Sequence, residues 1–133
     1  MARSWFCLDS DILIWHLRGA APFDVGDFLA TLAARATLVT TTISIAEVEQ
    51  GVRVGEAEHT RRLLRALPVI DVNRGIAESA GEIVRILRAK GETLGLADAL
   101  IAACCLGNNA ALGTLNVKHF SGVPNLELEL VPY

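Results

Sequence analysis

Short apolar runs alternate with longer segments of helical period along this chain, and that alternation limits what it can fold into more than any other feature. RSWFCL, ATLVTT, PVIDV, AALGTL and LELELV read as strands, being brief, apolar or alternating, and bounded by polar or glycine residues. The first two enclose DILIWHLR and FDVGDFLATLAAR, two helical segments that give a β-α-α-β opening. SIAEVEQGV and EAEHTRRLLRAL follow as a helical hairpin about Gly51 to Gly55. In NRGIAESAGEIVRILRAKG, the residues Ile76, Ala80, Ile83 and Leu87 fall on one face of a long helix that stops at Gly91. A connector then leads into the helix LGLADALIAACC. In LELELV, Glu127 and Glu129 alternate with Leu126, Leu128 and Leu130, a pattern suited to a sheet edge.

Strands separated by helices of this length pair in parallel, with helices on both faces. The expected architecture is a three-layer α/β/α sandwich around a mainly parallel sheet of about five strands. At 133 residues the chain fits one domain, 1–133, without repeats or an internal linker. Its content of hydrophobic residues, 52%, and mean hydropathy of +0.41 exclude a disordered chain, yet no apolar run approaches the roughly 18 residues of a membrane span. The opening MARSWFCLDSD carries acids at 9 and 11 where a secretory signal needs its apolar region, so no export is expected. Cys7, Cys104 and Cys105 lie in apolar settings without metal-ligand spacing, which suits reduced core thiols in the cytoplasm. With a net charge of -3, contact with nucleic acid has to come from a local patch.

Ligand sites in such folds form beyond the carboxyl ends of the strands. Asp9 follows the first strand directly, Glu47 sits early in the helix after the second, and Asp98 lies in the first turns of the helix before the fourth. Each has a structural reading too. Asp9, Ser10 and Asp11 suit the cap of the next helix, Ser44 with Glu47 fits a capping box, and Asp98 gains from a helix dipole. Asp98 is the hardest to explain that way. Its neighbours on every helical face are apolar, and a lone carboxylate there needs a partner.

CLDSDILIWHLRG, TTISIAEVEQGV, GLADALIAACCL and LGTLNVKHFSGVPNLEL resemble, in order and spacing, the successive blocks of PIN-domain ribonucleases, in particular the VapC-type toxins of bacterial toxin–antitoxin pairs. The resemblance spans nearly the whole chain. It implies a PIN-like fold and a metal-dependent endoribonuclease that cleaves RNA phosphodiester bonds. Asp9, Glu47 and Asp98 are then the acids that bind Mg²⁺ or Mn²⁺, hard cations suited to carboxylate oxygens. Asn116 stands where many members carry a fourth acid, and it completes the expected catalytic set with Asp9, Glu47 and Asp98. Ser10, Thr114, Arg61, Arg62 and His119 are candidate substrate contacts, with helix or loop surface as the plainer reading of Arg61, Arg62 and His119. The implied partners are RNA and a small antitoxin protein, with a homodimer and a heterotetramer or larger assembly, and no membrane.

Two other classes compete. A catalytically impaired PIN-like module for RNA binding or protein interaction is compatible with Asn116, although the three principal acids remain. The stretch CLDSD is also similar to the strand end of haloacid-dehalogenase-type phosphatases, with Lys90 as the necessary lysine, but Asp98 lacks the second acid that chemistry requires.

Overall fold

The computed structural model describes residues 5–19 and 25–129. Strand β1 (Trp5–Leu8) leads into α1 (Ser10–Arg18), which Asp9 caps by accepting from the Ser10 N–H. Gly19, at φ 62°, ends α1 in the left-handed conformation that a residue without Cβ adopts freely. Helix α2 (Val25–Ala33) and strand β2 (Thr37–Thr41) complete the β-α-α-β opening. Helices α3 (Thr42–Gln50) and α4 (Ala57–Arg65) come next, then the two-residue strand β3 (Val69–Ile70). Helix α5 (Arg74–Ala89) is capped by Asn73, whose side chain accepts from the Ile76 N–H at 2.9 Å. It packs on α6 (Leu96–Gly107), and β4 (Ala110–Gly113), α7 (Val117–Phe120) and β5 (Leu128–Glu129) finish the described chain.

The five strands lie in the order β3-β2-β1-β4-β5 and every pairing is parallel. The expected α/β sandwich is therefore present, with β5 at an edge. Parts of the expected first strand and second helix, at 3–4 and 23–24, and the end of LELELV, at 130–131, fall outside the described residues.

Side-chain alternation along the strands feeds two cores. Cys7, Val39, Ala110 and Leu112 point to one face, where Ile76, Ala80, Ile83 and Leu87 of α5 and the apolar length of α6 cover them. Phe6, Leu8 and Ala111 point to the other, against Ile12 and Leu13 of α1, Phe28 and Leu32 of α2, Val48 and Leu64. Each fully buried aliphatic side chain contributes about 1.5–3 kcal/mol, so both helical layers are held to the sheet by many such contacts. The three cysteines are buried and unpaired.

From β1 the chain runs outward to β2 and β3, then returns to place β4 on the opposite side of β1. Open parallel sheets form their ligand crevice where the strand order reverses, which here is at the carboxyl ends of β1 and β4. The Asp9 N–H donates to the Gly113 carbonyl at 3.0 Å and ties the residue following β1 to the end of β4.

Candidate active site

Asp9 emerges from β1 at the crevice and is only 4% exposed. One carboxylate oxygen caps α1 through the Ser10 N–H at 2.8 Å, and the other accepts from the Thr114 hydroxyl at 2.8 Å. Capping and site membership are thus served by separate oxygens. Burial, and then the neighbouring charge of Asp11, push the Asp9 carboxyl up to about 7; hydrogen bonds from Thr114 and Ser10 oppose this and Glu47 adds to it.

Glu47 projects from α3 toward the same place and accepts from the Ser10 hydroxyl at 3.2 Å. The expected Ser44–Glu47 capping box does not form. Thr41, at the end of β2, is the cap, its hydroxyl accepting from the Ser44 N–H at 3.0 Å. Ser44 lies inside the helix, and Glu47 is left for the crevice. Burial raises its carboxyl, and so do the charges of Asp98 and Asp11.

Asp98 occupies the third position of α6, in the first turn, with its side chain 29% exposed. Its field raises both Asp11 and Glu47, so it stands within electrostatic reach of the others. The Nδ1 atom of His119 lies 3.5 Å from its Oδ2. His119 was expected on a loop; the structure sets it on the single turn of α7.

The residue that sequence reasoning passed over is Asp11. Its Oδ2 accepts from the Leu115 N–H at 2.9 Å and the Asn116 side-chain amide at 3.4 Å, with the Thr114 hydroxyl 3.2 Å away. The threonine has one proton, which the closer Asp9 oxygen takes. Asp11 therefore ties the start of α1 to the segment following β4. Burial raises its carboxyl, opposed by the Leu115 and Ile12 N–H groups. A signal was present: one acid suffices to cap a helix, and LDSD supplies two, Asp9 at the cap and Asp11 in the first turn.

The structure thus gathers Asp9, Ser10, Asp11, Glu47, Asp98, Thr114, Asn116 and His119 at one crevice. Among the described residues no three His, Cys, Asp or Glu side chains form a ready metal cage, and several of the carboxylate oxygens accept from donors of the chain itself. Nor, among the described residues, does any of these acids pair with lysine or arginine. Clustered oxygen donors, with the Asp9, Asp11 and Glu47 carboxyls raised and no lysine or arginine partner among the described residues, fit a divalent cation of the Mg²⁺ or Mn²⁺ kind.

Arg61 and Arg62 are elsewhere. They stand on α4, paired with Glu49 at 3.7 Å and Glu58 at 3.3 Å, and with Arg65 they line a surface hollow of about 700 Å³.

Residues 6–124 match the PIN domain family. Ribonuclease VapC10 of Mycobacterium tuberculosis is 37% identical over 113 residues, spanning 85% of this chain and 84% of its own. Ribonuclease VapC2 of Rickettsia felis is 30% identical over 129 residues, 93% of this chain and 96% of its own. The structure of VapBC2 from Rickettsia felis, bound to a DNA fragment from its promoter, superposes with a TM-score of 0.81 at 29% identity, covering 94% of this chain and 97% of that one. For VapBC-1 of nontypeable Haemophilus influenzae the TM-score is 0.79 at 27% identity, with coverage of 94% and 96%.

Proposed function

This chain belongs to the PIN domain family, and from that premise we propose that it is a metal-dependent endoribonuclease, the toxin of a toxin–antitoxin pair. The observation that carries the reading is the meeting of Asp9, Glu47 and Asp98, without a lysine or arginine partner among the described residues, in a chain 37% identical to a protein named a ribonuclease. Asp9, Glu47 and Asp98 hold a Mg²⁺ or Mn²⁺ ion. When bound, such an ion lowers the pKa of a water and offsets charge on the phosphate and the departing oxygen.

The remaining residues orient this set. Thr114 fixes the inner oxygen of Asp9, Ser10 steadies Glu47, and Asp11 anchors residues 114–116 across the crevice. Asn116, with its amide turned to Asp11, occupies the fourth catalytic position as a neutral polar group. Asp98 and Glu47 are partly exposed, so the open side of the crevice admits a phosphodiester. Arg61 and Arg62 supply phosphate contacts farther along the RNA.

The likeness to VapBC complexes supports a small antitoxin as partner, and a homodimer within a larger assembly. The place of action is the cytoplasm; among the described residues no helix is long and apolar enough to cross a membrane.

Pure protein incubated with total RNA should cleave it with Mg²⁺ or Mn²⁺ and stop with EDTA. Undiminished cleavage in excess EDTA rejects the metal mechanism. Co-expression with a small protein encoded beside it should give a tight complex, suppress cleavage and relieve growth arrest. An isolated chain that leaves growth unchanged and binds no such neighbour removes the toxin assignment.

A further inference from the structure

The segment TLNVKHF divides its side chains between the acids in a way that bears on the choice of metal. Thr114 and Asn116 face Asp9 and Asp11, and the Asn116 amide is engaged by Asp11 at 3.4 Å. His119, three residues on, faces Asp98. Its position is set from beneath. The His119 N–H donates to the Asn116 carbonyl at 3.0 Å, and Phe120, 1% exposed, pins the turn of α7 to the core under α6. The imidazole itself is 65% exposed, free of the packing that would fix a purely structural histidine.

The separation of 3.5 Å between Nδ1 and the Asp98 oxygen is long for a charge-assisted hydrogen bond, which falls at about 2.7–2.9 Å. It is close to the spacing of two donors on one ion: ligands about 2.1 Å from a cation at right angles stand roughly 3 Å apart. Magnesium takes oxygen ligands, whereas imidazole suits first-row transition ions.

We propose that His119 is a nitrogen ligand to the cation held at Asp98, which turns the preference of the site from Mg²⁺ toward a first-row transition ion such as Mn²⁺. This rests on the metal-binding reading above and adds to it a donor of a different element.

The test loads the metal-free full-length protein with Mn²⁺ and records pulsed electron paramagnetic resonance. A ¹⁴N coupling from one imidazole is expected in the parent, retained in His16→Ala and His59→Ala and absent in His119→Ala. Calorimetric titration should show Mn²⁺ binding weakened about tenfold or more by His119→Ala, with Mg²⁺ binding changed far less. His119→Asp should narrow the Mn²⁺-to-Mg²⁺ affinity ratio by restoring an all-oxygen set. Mn²⁺ bound without nitrogen coupling, or coupling that survives in His119→Ala, overturns this proposal and leaves the acids as ligands. Failure of the parent to bind either ion at millimolar concentration overturns the metal reading together with this one. Because His119 is exposed, its replacement should leave the metal-free melting temperature near that of the parent.

Discussion

The acids at the crevice and the arginines of α4 are both dense in charge, but they live under opposite conditions. Arg61 and Arg62 reach into solvent, each beside a glutamate, an arrangement worth between nothing and about 1 kcal/mol. Asp9 is buried, Asp11 and Glu47 partly so, with other acids as neighbours and no basic partner among the described residues. A fold that tolerates such repulsion is giving up stability at one place for something other than stability. Solvated pairs on a helix surface carry no comparable sign. The contrast sets the crevice apart by electrostatic cost rather than by the number of charges.

The strongest way to break that contrast is to remove charge from the crevice while keeping shape. Asp9→Asn preserves a good cap, and Asp98→Asn preserves volume, yet each should lower RNA cleavage more than about 100-fold. Normal cleavage by either would put these acids on a level with the arginines.

A second measurement follows the repulsion itself through pH. Asp9 titrates at about 7 in the folded, metal-free protein against an ordinary 3.8, so between these values the folded state holds a proton that the unfolded chain has released. Stability is fully present below about pH 4 and declines as pH rises toward 7, by an amount on the order of a few kcal/mol. Asp11 and Glu47 are shifted in the same direction. Thermal melts in EDTA across this range should show the fall in the parent and a flatter profile in Asp9→Asn; a parent whose stability rises over the window would contradict it.

Asp11 sharpens the comparison, since it combines repulsion with structural duty. Asp11→Asn keeps an acceptor for the Leu115 N–H and removes a charge, so its stability should match or exceed the parent's. Asp11→Ala loses the acceptor and should be less stable than Asp11→Asn by about 1–3 kcal/mol in denaturant titrations. Equal stabilities would mean that Asp11 does not anchor residues 114–116.

The smallest effects are expected at α4. Arg61→Ala and Arg62→Ala should change stability by no more than about 0.5 kcal/mol. Each should reduce the slope of log affinity for single-stranded RNA against log salt by about 0.7 if it meets a phosphate. An unchanged slope returns these residues to plain helix surface.

Much of this was legible in the sequence because it follows from periodicity. The layers, the edge position of β5 and the buried face of α5 all derive from patterns within a few residues of one another. Asp9, Glu47 and Asp98 could be placed at strand ends for the same reason. What escaped depends on partners distant in the chain or on competition between neighbours. Asp11 meets Leu115 across 104 positions, and nothing in LDSD announces that contact. Thr41 displaces Ser44 as the cap because β2 runs directly into α3, a boundary that pattern locates only loosely. The turn of α7 is too short to show a period, so the approach of His119 to Asp98 is visible only in three dimensions.

The pairing of β1 with β4 has a consequence for how the protein comes into being. Asp9 and its partner Thr114 are separated by 105 positions, and their strands lie side by side in the middle of the sheet. During synthesis the first half of the crevice leaves the ribosome long before the second exists. A nascent chain halted ahead of β4 has no far wall for the crevice and no anchor for Asp11. The candidate site is therefore complete only once nearly all of the described sheet has been made.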